Sequence, residues 1–136
     1  MELIIDANEV ISALISFSGK TAEIIFSDKI KLFSPEYLLE EIDRHKDEIL
    51  KKSELTTEDL EVLLNLISLN IEFISFSEFE EFEEESSKIS ADPNDVEYLA
   101  LALKLNCTLW SEDKALKDNG RVNVLTTSDL LEILKL

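Results

Sequence analysis

The chain predicts an α/β fold, a three-layer α/β/α sandwich with a mainly parallel central sheet, and three observations carry that prediction. Short apolar runs without polar alternation, such as Leu3-Ile4-Ile5, read as strands buried on both faces. Amphipathic stretches at helical spacing separate these runs, which implies right-handed crossovers, parallel strands and helices on both sides of the sheet. At 136 residues the chain is long enough to bury a sizeable core yet too short for a second domain, so residues 1–136 are read as one domain.

In order, the first strand spans Leu3 to Ile5 and ends at Asp6. Val10, Ile11, Leu14 and Ile15 give Glu9 to Ile15 a helical spacing that Gly19 interrupts. A second short helix is expected over Thr21 to Phe26, and a strand over Lys31 to Phe33. Ser34 reads as a helix cap and Pro35 as a first helical residue, opening one helix that continues to about Lys52. Another helix follows Thr56 and Thr57, with Leu60, Leu63, Leu64 and Ile67 on one face. Ile71 to Ile74 makes a third strand. Ser77 to Glu85 holds six glutamates, with Phe73, Phe76, Phe79 and Phe82 at three-residue spacing; this reads as a solvated helix whose aromatic face is core or a dimer contact. Asp92-Pro93 opens a helix that continues through VEYLALALKL into the strand Cys107 to Trp110. A strand around Val122 to Leu125 and a helix from about Ser128 to Leu134 end the chain.

Composition narrows the function. No apolar run approaches the roughly 18 residues of a membrane span, and no basic-then-apolar leader opens the sequence. Cys107 is the only cysteine, which excludes an internal disulfide and a cysteine-based zinc site, and a cytoplasmic protein is expected. The net charge of −17 argues against general nucleic-acid binding, which rests on Lys and Arg neutralising phosphates. An acidic chain still acts on RNA where metal ions bridge its carboxylates to phosphate, or where a basic partner supplies charge. The bland reading is a solvated surface that maintains solubility.

Several carboxylates are expected to converge. Asp6 and Asp113 each follow a strand, so both are expected at the carboxyl edge of the sheet, where ligands of open α/β sheets bind. Asp95 lies in the first turn of the helix leading into the Cys107 strand, and such a helix starts at the same edge. The helix opened by Pro35 starts there too, and a residue six positions in has advanced only about 9 Å along the axis. It offers Glu40 and Glu41. Glu40 has Arg44 at i+4, which suits a surface ion pair, whereas Glu41 shares a stripe with Leu38, Ile42 and His45. Glu41 is favoured, with Glu40 the alternative. Four carboxylates on one rim repel unless they take up protons or share a counter-ion. Oxygen ligation without cysteine or histidine suits Mg²⁺ or Mn²⁺, an ion able to activate water and stabilise a leaving oxygen at a phosphodiester.

These segments resemble the PIN-domain nucleases. IIDANEVISALI is similar to their opening Asp-x-Asn, SPEYLLEEI to their helical glutamate segment, DPNDVEYLALAL to their third acidic motif, and LWSEDKAL to their closing Ser/Thr-x-Asp motif. The resemblance covers nearly the whole chain and implies a metal-dependent endoribonuclease acting on single-stranded RNA, with Asp6, Glu41, Asp95 and Asp113 as both catalytic and metal-holding residues. Asn8 and Ser111 match the family's polar accessory positions. It further implies the toxin of a toxin-antitoxin pair, homodimeric and restrained by a small antitoxin protein. Two positions depart from the pattern: Glu9 stands where an apolar residue is usual, and Glu112 where a small one is.

Each residue also has a plainer reading. Asp92 is expected to cap its helix, a role also open to Asp95. Asp113 could cap the short helix after it, whereas Asp6 ends a buried strand with no cap to serve and is costly there unless paired or metal-bound. His45, the only histidine, reads as a surface or packing residue, and Lys114 as a modest RNA contact. Rival classes fit less well. A haloacid dehalogenase-type phosphatase wants a second aspartate where Asn8 stands, no receiver-type aspartate and lysine set is present, and two glycines cannot build a phosphate loop. The remaining rival is a PIN-like scaffold acting as a protein-interaction module.

Overall fold

The computed structural model describes all of residues 1–136. Five strands form one parallel sheet: β1 (Glu2–Ile5), β2 (Lys31–Pro35), β3 (Ile71–Ile74), β4 (Thr108–Trp110) and β5 (Val124–Leu125), in the order β3-β2-β1-β4-β5. The helices are α1 (Ala7–Ile15), α2 (Lys20–Ile25), α3 (Tyr37–Arg44), α4 (Lys46–Ser53), α5 (Thr57–Ser68), α6 (Glu83–Ile89), α7 (Val96–Leu105), α8 (Lys114–Lys117) and α9 (Thr127–Leu134). The α/β/α sandwich with a parallel centre is the observed architecture. None of these helices is long and apolar enough to cross a membrane.

β1 is central because its apolar run tolerates no water: after the exposed Glu2, Leu3, Ile4 and Ile5 are fully buried. It pairs with β2 through Ile4 opposite Phe33, and with β4 through Ile5 opposite Trp110. α7 and its partner α6 cover one face, with α7 packed on β1, β2 and β4, while α1 gathers α2 to α5 on the other side and α2 meets α9. Leu99, Ala100 and Leu101 are fully buried at the middle of α7, between the polar Glu97 and the exposed Lys104 near its ends. The chain lays β2 and β3 on one side of β1, then crosses back to lay β4 and β5 on the other. The strand order therefore reverses between β1 and β4, and the crevice above that point is where ligands of open α/β sheets bind.

Three local expectations are corrected. Ser34 and Pro35 do not start a helix; they finish β2, where Pro35 stands opposite Ile74. The missing proline N–H is harmless there, because the pairing of β1 with β2 ends at Phe33 and the N–H of Glu36 reaches the Ile74 carbonyl at 3.2 Å. The helix expected through Lys52 is two, broken at His45, whose N–H closes a tight turn on Ile42 at 3.0 Å. His45 is exposed, so it does not share the inward stripe of Leu38 and Ile42. The glutamate-rich segment is not a continuous helix: 3-10 turns at Phe76–Glu78 and Glu80–Phe82 precede α6. Residues three apart eclipse in a 3-10 helix, which suits Phe76, Phe79 and Phe82. Phe79 is fully buried, and the partly buried Phe73, Phe76 and Phe82 pack on the core, which is the core reading of this face.

Candidate active site

The first feature of the site is the abrupt turn from β1 into α1. Asp6 has extended backbone angles (φ −79°, ψ 148°) and occupies the N-cap of α1, where its Oδ1 accepts the Asn8 N–H at 3.4 Å. It therefore does have a cap to serve, which corrects one expectation. A capping carboxylate ordinarily stays near water, yet Asp6 is only 6% exposed. Its other oxygen, Oδ2, accepts the Ser111 hydroxyl at 2.8 Å.

Ser111 joins Asp6 to the loop that carries Asp113. It follows β4, is 1% exposed, and its Oγ also accepts the Asp113 N–H at 3.1 Å. Asp113 is an exposed cap of α8, accepting the Ala115 N–H at 2.9 Å. Asp95 closes the 3-10 turn before α7, half-buried, and its side chain makes no capping bond, whereas Asp92 does cap that turn, accepting the Asn94 N–H at 2.9 Å. On α3, Glu41 is half-buried and accepts the Tyr98 hydroxyl at 2.6 Å, while Glu40 is exposed. The expected pairing of Arg44 with Glu40 does not form; Arg44 donates to the Tyr37 hydroxyl at 3.0 Å, and Tyr37 donates to Asn94 at 2.7 Å. Asn8 is exposed beside Asp6 and contributes only its backbone N–H.

Electrostatics show that these groups share one neighbourhood. Burial, with a smaller push from Asp113, raises the Asp6 carboxyl above its ordinary range despite hydrogen bonds that pull it down. Burial and the charges of Asp6, Asp113, Asp92 and Glu41 push Asp95 up to about 7. Burial raises Glu41 as well, opposed by the Tyr98 hydrogen bond and reinforced by Asp6. Like charges brought together on a partly desolvated rim resist ionisation, so Asp95 feels Asp6, Asp113 and Glu41, and Asp6 feels Asp113, although they lie far apart in sequence.

Two residues that the sequence reading left without a role join this edge. Tyr98 is buried inside α7 and holds Glu41. Glu9, noted only as a departure from the family pattern, is 1% exposed; burial, Glu112 and Asp6 push its carboxyl up to about 7. Periodicity places both on apolar helix faces, and only the observation that each is a polar group in such a face signals a partner.

The edge can hold a hard cation in kind. Its donors are all oxygen, Asp95 has no hydrogen-bond partner on its side chain, and a divalent charge would offset the burial, and with it the repulsion, that raises these carboxyls. No three Asp, Glu, His or Cys side chains stand close enough to form a ready-made cage, so an ion would have to draw the rim inward. A cavity of about 340 Å³, lined by Asn106, Cys107, Thr108, Arg121 and Asn123 among others, opens at the opposite edge of the sheet and includes none of these carboxylates.

Comparison with known proteins bears on the family and the fold. Residues 4–135 match the family model described as PIN domain. A chain in the crystal structure of VapBC2 from Rickettsia felis, bound to a DNA fragment from its promoter, superposes with a TM-score of 0.66 at 15% identity, covering 93% of this chain and 98% of that one. PAE2754 from Pyrobaculum aerophilum superposes with a TM-score of 0.71, also at 15% identity, over 99% of this chain and 90% of its own. A search of curated protein sequences finds no match.

Proposed function

This chain belongs to the PIN-domain family, whose members are in general nucleases, and from that premise we propose that it is a divalent-metal-dependent endoribonuclease hydrolysing phosphodiester bonds of single-stranded RNA. The observation that supports the reading most is that Asp95 feels the charges of Asp6, Asp113 and Glu41 above the point where strand order reverses. In this proposal those four side chains hold Mg²⁺ or Mn²⁺, which supplies water activation and neutralises charge on the phosphate. The protein's own contribution is orientation. Ser111 fixes Asp6 and the Asp113 backbone, Tyr98 fixes Glu41, and the exposed Asn8 lies beside Asp6 to steer substrate or water. Lys114, directly after Asp113, adds a modest RNA contact.

The proposal extends to biological role. VapBC2, a structural neighbour at low identity, suggests a toxin held by an antitoxin partner, and the family resemblance adds a homodimer and a cytoplasmic setting. A second reading, a PIN-like scaffold with an idle site, is favoured by the absence of a ready-made ion cage and by the charge of −17.

Cation titration separates the two. Mn²⁺ or Mg²⁺ should raise the melting temperature of the wild type and support cleavage of single-stranded RNA, and Asp6→Asn should abolish both. Cleavage that survives Asp6→Asn would sink the site assignment. A wild type that binds Mn²⁺ but cuts no RNA at any concentration would leave the scaffold reading standing.

A further inference from the structure

We propose that Glu9 is a positioning residue for this site, its buried carboxylate bracing the Ser111–Asp113 loop against α1 and the first turn of α9. The inference rests on the nuclease reading of the carboxyl edge, but its geometry is independent of any cation. Glu9 is the third residue of α1 and stands behind Asp6 rather than beside the solvent. Its Oε1 accepts the backbone N–H of Glu112 at 3.1 Å, and its Oε2 accepts the Thr127 hydroxyl at 3.2 Å. Thr127 is tied twice more: its Oγ1 accepts the Trp110 indole N–H at 3.0 Å, and its own N–H donates to Glu112 Oε1 at 2.6 Å.

One carboxylate thus links the start of α1 to the loop after β4 and the start of α9, both more than a hundred residues further along the chain. The loop is pinned on both sides of its short path, by Ser111 on Asp6 and by Glu112 on Glu9. Asp113 comes next and is otherwise exposed. The four-residue helix that follows is anchored at its far side by the buried Leu116, so the near side, where Asp113 stands, depends on these two pins for the spacing that a shared ligand requires. An apolar side chain in place of Glu9 would fill the volume but leave the Glu112 N–H and the Thr127 hydroxyl without that acceptor.

The test compares Glu9→Gln, Glu9→Leu and Thr127→Val with the wild type. Glutamine can reproduce the brace, its carbonyl accepting from Glu112 and its amide donating to Thr127; leucine cannot. Hydrogen exchange should show the Glu112 and Asp113 amides opening about tenfold faster in Glu9→Leu, the factor that one lost hydrogen bond represents, and near wild-type rates in Glu9→Gln. With single-stranded RNA and Mn²⁺, Glu9→Leu should lose about ten- to a hundredfold in kcat, the usual effect of removing support behind a metal site. KM should hold, and Glu9→Gln should keep most of the rate. Thr127→Val keeps the Glu9 carboxylate and its bond to the Glu112 N–H while losing the Thr127 donor and the Trp110 indole acceptor, so it should fall between them, which preserves the test should Glu9→Leu fail to fold.

Equal activity and equal loop exchange in the leucine and glutamine variants would overturn the proposal. So would a glutamine variant as impaired as leucine, since charge rather than bracing would then be the cause. Where the wild type cuts no RNA, the exchange data still decide the brace, and the failure belongs to the nuclease reading.

Discussion

Replacing Asp95 by asparagine should stabilise the protein in chelator at neutral pH, although it removes a charged residue from the start of a helix. Asp95 ionises in the native state only near pH 7, about three units above its ordinary value of 3.8. Between those limits the native state binds more protons than the unfolded chain, so stability falls as pH rises through the window. At about 1.36 kcal/mol per unit the ceiling is about 4 kcal/mol. Asp95 is only half-buried, and solvent screening brings a realistic figure to about 1–2 kcal/mol. For a domain of this size that is roughly 3–8 °C in Tm. Asparagine cannot ionise and escapes the loss. The opposing term, attraction of a carboxylate to the amino end of α7, is worth about 0.3–1 kcal/mol and does not reverse the sign. Melting curves in EDTA should therefore place Asp95→Asn above wild type at pH 8, with the gap closing toward pH 4. Mn²⁺ at a hundred times its Kd should add about 2.7 kcal/mol to the wild type and much less to the variant, inverting their order. If Asp95→Asn melts below wild type at pH 8 in EDTA, Asp95 is a helix-terminal residue first, and the crowded-rim argument is wrong.

Tyr98→Phe leaves Glu41 without its 2.6 Å donor, and urea titration at neutral pH should record a loss of about 1–2 kcal/mol together with a weaker Mn²⁺ midpoint. Asn106 ends α7 in the left-handed region at φ 52°, so Asn106→Ala should cost about 1 kcal/mol while Asn106→Gly stays near neutral, as thermal melts will show. RNA binding measured at fixed Mg²⁺ between 50 and 200 mM monovalent salt should fall far less than the factor of about 10³ or more expected of a protein with six or more cationic phosphate contacts. A steep salt slope would mean that a basic surface, not the acidic rim, takes up the substrate.

What the sequence made legible follows from where the physics is local. Leu3 to Ile5 reads as a buried strand because unbroken apolar runs have no other comfortable place, and Asp6 at its end follows from strand polarity alone. Asp113 and Asp95 follow from the same rule applied to β4 and α7. Pro35 misleads because its pre-set φ suits a helix start as well as the tail of a strand, and only the length of β1 beside it decides. The break at His45 and the 3-10 turns around Phe79 are tertiary choices: the helix propensity of the glutamates yields to burying one phenylalanine completely. Glu9 could not be assigned, because its partners, the Glu112 N–H and Thr127, lie more than a hundred residues away.

The four carboxylates are not equivalent, and the difference bears on how such a site would load. Asp6 is held on both oxygens, by Ser111 and the Asn8 N–H, at the end of the most buried strand. Glu41 is held on one, by Tyr98. Asp95 is held by no side-chain bond, and Asp113 sits on an exposed loop whose bracing is indirect. In the proposed function, repulsion among them is absorbed first at Asp95, the one without a side-chain bond, while Asp6 keeps both of its partners. In the proposed function a cation therefore meets one preset ligand and recruits the others, which accounts for oxygen chemistry suited to Mg²⁺ or Mn²⁺ without a preformed cage. The stability lost by crowding charge at this edge is offset elsewhere, by β1 and by the fully buried Leu99 to Leu101 beneath it, where no polar group interrupts the packing.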